Sequence, residues 1–210
     1  MKRCVIIGGA EIGNYERVRG YLAADDFFIY CDSGLRHLEK LGVEPGLIVG
    51  DFDSHEDPRM DVETITLPRA KDDTDTVYGL RCGLGRGFKD FLFLGVIGGR
   101  FDHSLGNVSM LLKLDSLGLD GLIVDDFSEM EVVSPRRGVV KIPDSYPYFS
   151  LLAAGGPARG VTERGVKFPL EDAEITPDYQ FGVSNEVLPG CTAEVSVKEG
   201  RLLLIKDMYR

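Results

Sequence analysis

Short apolar runs alternate with helical patterns along the first 127 residues of the chain. The continuous apolar runs lie at residues 4–7, 27–31, 47–49, 91–96 and 122–124. Such runs are typical of parallel strands that are covered on both faces. Between them, leucine and valine recur at helical spacing, as at Leu35/Leu38/Leu41, Val77/Leu80/Leu84 and Leu105/Val108/Leu112. This alternation predicts an open, mostly parallel α/β sheet.

The helical pattern ends near Glu129, and short strand patterns punctuated by proline and glycine replace it. They lie at residues 131–133, 138–142, 149–152, 193–198 and 201–206. The run 193–198 alternates at period two, and Glu199-Gly200 follows it, which predicts a hairpin with 201–206. We therefore expect two domains, an α/β domain at 1–127 and a small all-β sandwich or barrel at 128–210.

Composition and charge narrow the class of protein. The 210 residues carry a net charge of −10, which disfavours binding to nucleic acid because its phosphates would be repelled. An anionic substrate is still possible if metal ions screen its charge. The apolar runs are too short to span a bilayer. The four cysteines lie far apart without a CxxC pair, which favours a reducing cytoplasm over a zinc site or disulfides.

Glycine and polar residues follow several predicted strands at the point where each strand ends. These segments are residues 8–13, 32–34, 50–54 and 98–103. Ligands of an open α/β sheet bind beyond the carboxyl ends of its strands, so a ligand site is expected at this edge. Segment 8–13 is close to the dinucleotide fingerprint, but Ala10 occupies the position of the middle glycine. We interpret it as a tight strand-to-helix turn and do not predict NAD.

Two carboxylates, Asp51 and Asp53, follow the third strand two residues apart. Side chains at i and i+2 of an extended segment point the same way, so both can bind one hard cation. A simple turn is the alternative, since aspartate is common in turns. Segment 71–75 adds Asp75 at the start of the next helix. A helix cap made by Asp72 or Asp73 is the alternative interpretation of this segment, but a cap needs one acid and the segment has three. We predict a Mg²⁺ site made by Asp51, Asp53 and Asp75.

Segment 98–107 combines features that suit a phosphate group. Its paired glycines let the backbone approach closely, the helix N-terminus that follows favours anions, and Arg100 offers a planar fork. Asp102 is either the helix N-cap or a polar contact to the substrate. His103 and Asn107 lie one turn apart and share a face near the expected site.

Three of these segments in order, GDFDS (50–54), KDDTD (71–75) and GGRFDHSLGN (98–107), resemble the motifs of bacterial thiamine pyrophosphokinases. CDSG (31–34) is similar to an earlier strand-end motif of that family, and VSNEV (183–187) is similar to its thiamine-side motif. The resemblance extends over essentially the whole chain. It is specific because all five motifs occur in the family's order.

The resemblance implies an enzyme that transfers the pyrophosphoryl group of ATP to the hydroxyl of thiamine and releases AMP. It also implies Mg²⁺, an ATP-binding catalytic domain at 1–127, a thiamine-binding β domain at 128–210, and a homodimer with active sites between subunits. Alternatives from other classes are a DxD glycosyltransferase, which would share the metal chemistry, and a nucleotide sensor without catalysis.

The residues and the resemblance together predict three groups of site residues. The catalytic group is Asp51, Asp53, Asp75, Arg100 and Asp102. The ATP-binding group is Asp32, Ser33, Gly34, Lys71, Gly98, Gly99, Arg100, His103 and Asn107. The thiamine-binding group is Asp72, Ser184 and Asn185. The general base is left open between Asp72 and Asp102, and Phe181 or Tyr209 could stack on thiamine, since the chain lacks tryptophan.

Overall fold

A computed structural model of the chain describes residues 2–52, 60–68 and 73–208. The chain forms two compact units. The first comprises residues 1–114 and 119–126, and the second comprises residues 115–118 and 127–210. Among the described residues, no helix has the length and apolar character needed to cross a membrane.

The first unit alternates strands and helices as the apolar pattern predicts. Its elements are β1 (Cys4–Ile7), α1 (Tyr15–Arg19), β2 (Phe27–Cys31), a 3-10 helix (Asp32–His37), α2 (Leu38–Leu41), β3 (Leu47–Gly50), β4 (Thr64–Thr66), α3 (Asp75–Gly85), β5 (Asp90–Leu94), α4 (Phe101–Ser116) and β6 (Asp120–Val124). Its strands follow the order β4-β3-β2-β1-β5-β6, and every pair is parallel. The predicted parallel α/β sheet is confirmed.

Both faces of this sheet are buried, which explains the continuous apolar runs. On one face, alternate residues such as Val5 and Ile7 pack with Val18 of α1 and Leu41 of α2. The intervening residues face α3, where a Cβ on Gly79 would lie 2.8 Å from the Cys31 sulfur. Helices therefore cover both faces and leave the strand ends as the free edge of the sheet.

The second unit is a β-sandwich, as predicted. Its elements are β7 (Ser128–Val133), a 3-10 helix (Pro135–Arg137), β8 (Val140–Pro143), β9 (Tyr148–Ala153), β10 (Ala158–Arg164), β11 (Leu170–Ile175), β12 (Thr192–Ser196) and β13 (Leu202–Asp207). One antiparallel group has the order β7-β13-β9, and the other has the order β11-β10-β12-β8. Phe149, Leu151 and Leu204 of the first group and Ile142, Val161 and Val195 of the second belong to one buried apolar core.

The predicted hairpin between residues 193–198 and 201–206 is wrong. The two strands, β12 and β13, belong to different sheets of the sandwich. Instead of pairing with β13, the end of β12 turns to the first residues of β10, where Arg159 N donates to Glu199 O at 2.9 Å and Lys198 N donates to Arg159 O at 3.0 Å. Glu199-Gly200 is thus a corner between two sheets, which a local pattern cannot distinguish from a hairpin turn.

Candidate active site

The carboxyl ends of β1, β2, β3 and β5 border one cleft of about 780 Å³ in the first unit. The strand order reverses at β1, which lies between β2 and β5, and ligands of such sheets bind at this switch point. The predicted site residues that line the cleft are Asp32, Ser33, Asp51, Asp75, Gly98, Gly99, Arg100, His103 and Asn107. Residues from four motifs that are far apart in the sequence therefore meet in one cavity.

Other predicted residues are not part of this lining. Gly34 is buried below the cleft, where an added Cβ would lie 2.3 Å from the carbonyl oxygen of Ile7. Its lack of a side chain lets this part of the chain pass close to the end of β1. Asp53, Lys71 and Asp72 lie outside the described residues.

Three half-buried carboxylates line the cleft at two different elements. Asp51 follows β3, and Asp73 and Asp75 precede or begin α3. The alternative interpretation, in which Asp73 caps α3, does not hold. Thr74 is the N-cap, since its hydroxyl accepts from Val77 N at 3.4 Å, and Asp73 pairs with Arg81 at 2.5 Å. Asp75 is thereby left as the aspartate of the first turn, facing the cleft.

The carboxylate oxygens that line the cleft are the kind of ligand that a hard cation prefers. Within residues 2–52, 60–68 and 73–208, no three His, Cys, Asp or Glu side chains are grouped closely enough to hold a metal ion by themselves. Mg²⁺ characteristically takes one or two protein carboxylates and completes its shell with water and substrate phosphates. Asp51 and Asp75 fit that requirement, because both line the same cavity.

Arg100 and Asp102 form a bidentate ion pair at the start of α4. Arg100 Nε donates to Asp102 Oδ1 at 3.1 Å, and its terminal nitrogen donates to Oδ2 at 2.5 Å. Asp102 also accepts from the backbone N–H of His103. Hydrogen bonding by Arg100, followed by that of the His103 backbone, lowers the pKa of Asp102 to about 2. Asp102 is thus a carboxylate that holds Arg100 and has little tendency to accept a proton.

The glycines before Arg100 give the segment a backbone that other residues rarely adopt. Gly98 has φ of 119° and Gly99 has φ of 67°, both in the left-handed region. Gly98 N donates to the Ser104 hydroxyl at 3.0 Å, which ties this turn to the first turn of α4. The turn therefore presents its backbone and Arg100 at the rim of the cleft.

Asn107 connects α4 to the cleft wall by buried hydrogen bonds. Its side-chain oxygen accepts from the Thr76 hydroxyl at 2.7 Å, and its nitrogen donates to Val96 O at 2.7 Å. Thr76 in turn contacts the Thr74 hydroxyl at 3.1 Å. This network joins α3, α4 and the segment after β5, so Asn107 fixes the shape of the cleft floor.

The glycine-rich segment after β1 is held from behind by a buried histidine. His37 Nε2 lies 2.9 Å from the carbonyl oxygen of Ala10, which can only accept, so this nitrogen carries the proton. Nδ1 then accepts from the Tyr15 hydroxyl at 2.6 Å. Burial lowers the pKa of His37, which keeps the ring in the neutral form that this chain of hydrogen bonds requires.

In the second unit, the predicted residue Asn185 lies inside the fold. It is 6% exposed, and its backbone pairs with Phe149 through bonds of 2.8 and 3.0 Å. Its side-chain nitrogen donates to Glu163 Oε2 at 2.7 Å and to Phe168 O at 2.9 Å. Its oxygen accepts from Phe168 N at 3.1 Å and Glu186 N at 2.9 Å. The amide therefore fixes the surrounding loops.

The neighbouring Ser184 and Phe181 are at the surface. Ser184 has φ of 59°, in the left-handed region, and its N–H donates to the Ser150 hydroxyl at 3.1 Å. Phe181 is exposed and its ring packs against that of Tyr179 at 5.3 Å between centroids. Tyr209, the other candidate for stacking, lies outside the described residues.

Two family models match the chain. The model described as thiamin pyrophosphokinase, catalytic domain, matches residues 18–120, and the model described as thiamin pyrophosphokinase, vitamin B1 binding domain, matches residues 138–202. The chain belongs to the thiamin pyrophosphokinase family. Apart from residues 115–118, the first matched segment lies in the α/β unit, and the second lies in the β-sandwich unit.

Individual relatives agree with this assignment. The chain is similar to a thiamine pyrophosphokinase of Bacillus subtilis, with 26% identity over 99% of both chains. Its fold is similar to the crystal structure of a B. subtilis thiamine pyrophosphokinase, with a TM-score of 0.87, 24% identity and full coverage of both chains. A thiamin pyrophosphokinase structure from Geobacillus thermodenitrificans has a TM-score of 0.83 and 26% identity, covering 99% of this chain and 98% of that one. The comparisons support neither a glycosyltransferase nor a nucleotide sensor.

Sequence reasoning missed several residues of this thiamin pyrophosphokinase-family site. Glu11, Arg36, Thr74 and Thr76 line the cleft, and Glu163 is buried beside Asn185. The two threonines lie in or directly after the 71–75 motif, and Arg36 follows CDSG by two residues. The sequence gives a weaker indication of Glu163. It lies two residues after Val161 in β10, so both side chains point to the inward side of the strand.

Proposed function

We propose that this protein transfers the pyrophosphoryl group of ATP to the hydroxyl of thiamine, giving thiamine diphosphate and AMP. The observation that carries this proposal is the single cleft in which the phosphate-type motifs meet, since Asp51, Asp75 and Arg100 all line it. The match to both the catalytic and the vitamin B1 binding models supports the identity of the two substrates.

We assign the phosphates of ATP to the turn before α4. Transfer of phosphoryl-type groups depends mainly on positioning and on neutralising charge. The left-handed glycines 98 and 99 carry no side chain that would keep a phosphate from the backbone, and the first turn of α4 adds the positive end of a 16-residue helix. Arg100 supplies a planar fork that a phosphate can occupy in place of Asp102.

We assign Mg²⁺ to Asp51 and Asp75, with Asp53 as a further candidate outside the described residues. The ion, when bound, would neutralise phosphate charge and orient the transferred group. The chain's own contribution is to hold two half-buried carboxylates at the ends of a strand and a helix, where the backbone is fixed. Such carboxylates also disfavour ATP bound without a cation, because their charge would repel its phosphates.

The proton of the thiamine hydroxyl needs an acceptor, for which the sequence leaves Asp72 and Asp102 open. A pKa of about 2, caused first by the Arg100 hydrogen bond, makes Asp102 a weak acceptor while that pair is intact. Asp102 would become more basic once a phosphate displaces it from Arg100. We therefore assign Asp102 the role of orienting Arg100 in the free enzyme.

We also propose that the protein is a homodimer with active sites between subunits, acting in the cytoplasm. Four free cysteines, two of them buried, suit a reducing compartment. A mixture of Asp51→Asn chains with chains altered at Ser184 would regain activity through hybrid sites if each site uses both subunits. An absence of any recovery, in mixtures that sedimentation shows to be mixed dimers, would rule out the shared site.

Product analysis tests the proposed reaction directly. The protein is incubated with ATP, Mg²⁺ and thiamine, and the products are separated by chromatography. We expect AMP and thiamine diphosphate in equal amounts, and neither without thiamine. Formation of ADP and thiamine monophosphate, or ATP binding without turnover, would contradict it. A glycosyltransferase would instead hydrolyse or transfer a nucleotide sugar and form no AMP from ATP.

A further inference from the structure

His37 lies behind two walls of the active-site cleft and connects them. Segment 9–11, which follows β1, forms one wall, and segment 31–33, at the end of β2, forms the other. His37 ends the 3-10 helix that continues the second wall, and it is 2% exposed. It is not one of the described residues that line the cleft. Any effect of His37 on a bound ligand must therefore pass through the walls.

The two walls are in direct contact at Gly9 and Ser33. A Cβ added to Gly9 would overlap the Ser33 hydroxyl, and a Cβ added to Gly8 would lie 2.6 Å from the carbonyl oxygen of Gly95, which follows β5. The chain segments after β1, β2 and β5 therefore approach one another about as closely as backbone and small side chains permit. Because this region is so closely packed, a small displacement of segment 9–11 would change the shape of the cleft.

Hydrogen bonds hold Ala10 from two directions. Its N–H donates to Gly95 O at 2.8 Å, and its carbonyl oxygen accepts from His37 Nε2 at 2.9 Å. Farther along the chain, the N–H groups of residues 13–14 donate to the Asp126 carboxylate at 2.7 and 2.8 Å. The bond from His37 thus ties segment 9–11 to the wall after β2, while the other bonds tie the chain to the segments after β5 and β6.

Both ring nitrogens of His37 are engaged within the protein. The Tyr15 hydroxyl donates to Nδ1 at 2.6 Å, which leaves Nε2 as the N–H donor to Ala10. A neutral imidazole has one donor and one acceptor, so neither nitrogen has a position left for a ligand. His37 can therefore influence a bound ligand only by holding the Ala10 carbonyl.

The surroundings of the His37–Tyr15 pair keep both groups in the neutral form. The charged groups that act on the pair come from several elements and are Arg36, Lys40, Glu11 and Asp126. Burial lowers the pKa of His37, the bond to Ala10 opposes this change, and the two positive charges lower the pKa further. Burial raises the pKa of Tyr15, so the hydroxyl keeps its proton. Tyr15 therefore remains a donor, and His37 Nδ1 remains its acceptor.

We propose that His37 is a positioning residue for ATP, whose Nε2–H holds the Ala10 carbonyl and thereby keeps segment 9–11 in the place that ATP requires. This inference rests on the proposed function, which assigns the cleft to ATP. His37 makes no contact with the substrate and transfers no proton in this role. Without the donor, the Ala10 carbonyl loses its partner and segment 9–11 can move away from the wall after β2. The affinity for ATP then falls, whereas thiamine, assigned to the β unit, is unaffected.

Two amide variants test which nitrogen of His37 carries this effect. Glutamine can place its N–H near the position of Nε2, whereas the shorter asparagine places its N–H near that of Nδ1, toward Tyr15. We expect His37→Gln to keep the KM for ATP within about 3-fold of wild type and His37→Asn to raise it about 10-fold, because the hydrogen bond to Ala10 is lost. Steady-state kinetics with each substrate varied in turn measures both. Equal KM values for ATP in the two variants would overturn the assignment.

The His37→Leu variant separates positioning from folding. A loss of folded protein would lower the apparent turnover, but KM does not depend on the concentration of active enzyme. The KM for ATP should rise about 10-fold, and that for thiamine should stay near the wild-type value. Glu39→Gln, at an exposed position of α2, is the control and should behave as wild type. A KM for thiamine that rises as much as that for ATP would show a general structural role and overturn the assignment.

The outcomes for the reaction and for His37 are distinguishable, because isothermal titration with ATP and Mg²⁺ measures ATP binding without turnover. If wild type makes thiamine diphosphate but His37→Asn keeps the KM for ATP, the reaction stands and the role of His37 fails. If wild type makes no thiamine diphosphate, yet wild type and His37→Gln bind ATP about 10-fold more tightly than His37→Asn, the role of His37 stands and the proposed reaction fails.

Discussion

The two units of this protein place carboxylates in opposite environments. In the α/β unit, Asp51 and Asp75 are half-buried at the rim of an open cleft, and Asp102 is exposed and paired with Arg100. In the β-sandwich, Glu163 is 1% exposed and faces a small apolar cavity. The pKa of Asp102 is lowered to about 2 by its hydrogen bonds, whereas burial raises that of Glu163 to about 7.

Carboxyl groups therefore have different roles in the two units. The carboxylates Asp51 and Asp75, which line the same cleft as the glycine-rich turn, suit a cation and the phosphates that it accompanies. Burial raises the pKa of Glu163 to about 7 and makes this carboxyl a buried hydrogen-bond partner of Asn185. We infer that the α/β unit binds the phosphates of ATP and that the β unit binds thiamine.

The largest expected effect is the loss of turnover when a proposed Mg²⁺ ligand is replaced. Asp51→Asn should lower turnover about 1,000-fold or more, because a ligand to the ion that neutralises the phosphates is lost. The thermal midpoint should stay the same or rise slightly, since one of the carboxylates in the cleft loses its charge. Asp25→Asn, an exposed site on the same unit, is the control. Activity within a few-fold of wild type at low Mg²⁺ would remove Asp51 from the metal site.

A smaller loss is expected at Arg100. Arg100→Ala should slow turnover about 30- to 1,000-fold, because a charged donor to the transferred group is removed. Arg100→Lys should recover only part of this loss, since it keeps the charge without the planar fork. Asp102→Asn should change turnover less than Arg100→Ala does, because its role is to orient Arg100. Equal losses in both variants, measured by steady-state kinetics, would show instead that Asp102 takes part in the chemistry.

In the β unit, Asn185→Ala should act on stability and on thiamine together. It removes four hydrogen bonds and leaves Glu163 without its donor, so we expect about 2–4 kcal/mol of destabilisation. The KM for thiamine should rise while that for ATP changes little. Denaturant unfolding and kinetics with each substrate varied in turn would measure both. A weakened ATP affinity with unchanged thiamine affinity would reverse the assignment of the two units.

Glu163→Gln should change stability in a direction set by pH. The pKa of Glu163 is 4.5 in the unfolded chain and about 7 in the folded chain. Between these two values the carboxyl is therefore ionised in the unfolded chain and still protonated in the folded one. Stability of the wild type therefore falls as pH rises from about 4.5 to 7 and then levels off. The glutamine of the variant does not titrate, so the variant avoids this loss of stability. Its denaturant midpoint should match that of the wild type at pH 5 and exceed it at pH 8. The gain at pH 8, measured by denaturant unfolding, should be about 1–3 kcal/mol.

Much of the fold could be predicted from local pattern, and the failures have physical causes. Continuous apolar runs identified β1 and β2 because both faces of the parallel sheet are buried. The helix α1 and the strand β4 have only five and three residues, too few to show a period. The corner at Glu199-Gly200 has the sequence of a hairpin turn, and only the partner strands reveal that β12 and β13 part there.

The candidate site could be predicted where it depends on strand ends and not where it depends on burial. Asp51, Asp75 and Arg100 follow or begin regular elements, so topology alone brings them to one edge. Glu163 is different, since a glutamate in the strand ARGVTER resembles a surface residue. Its burial depends on Asn185, which lies 22 residues away in the chain. Contacts of that kind are set by the tertiary structure.

The division of labour between the units is tested most directly by steady-state kinetics on two variants, with ATP and thiamine each varied at pH 8. The account predicts that Arg100→Ala lowers turnover and leaves the KM for thiamine near the wild-type value. Asn185→Ala should raise the KM for thiamine about 10-fold and leave that for ATP near the wild-type value. If Asn185→Ala instead changes only the KM for ATP, or Arg100→Ala changes only the KM for thiamine, the division of labour is contradicted.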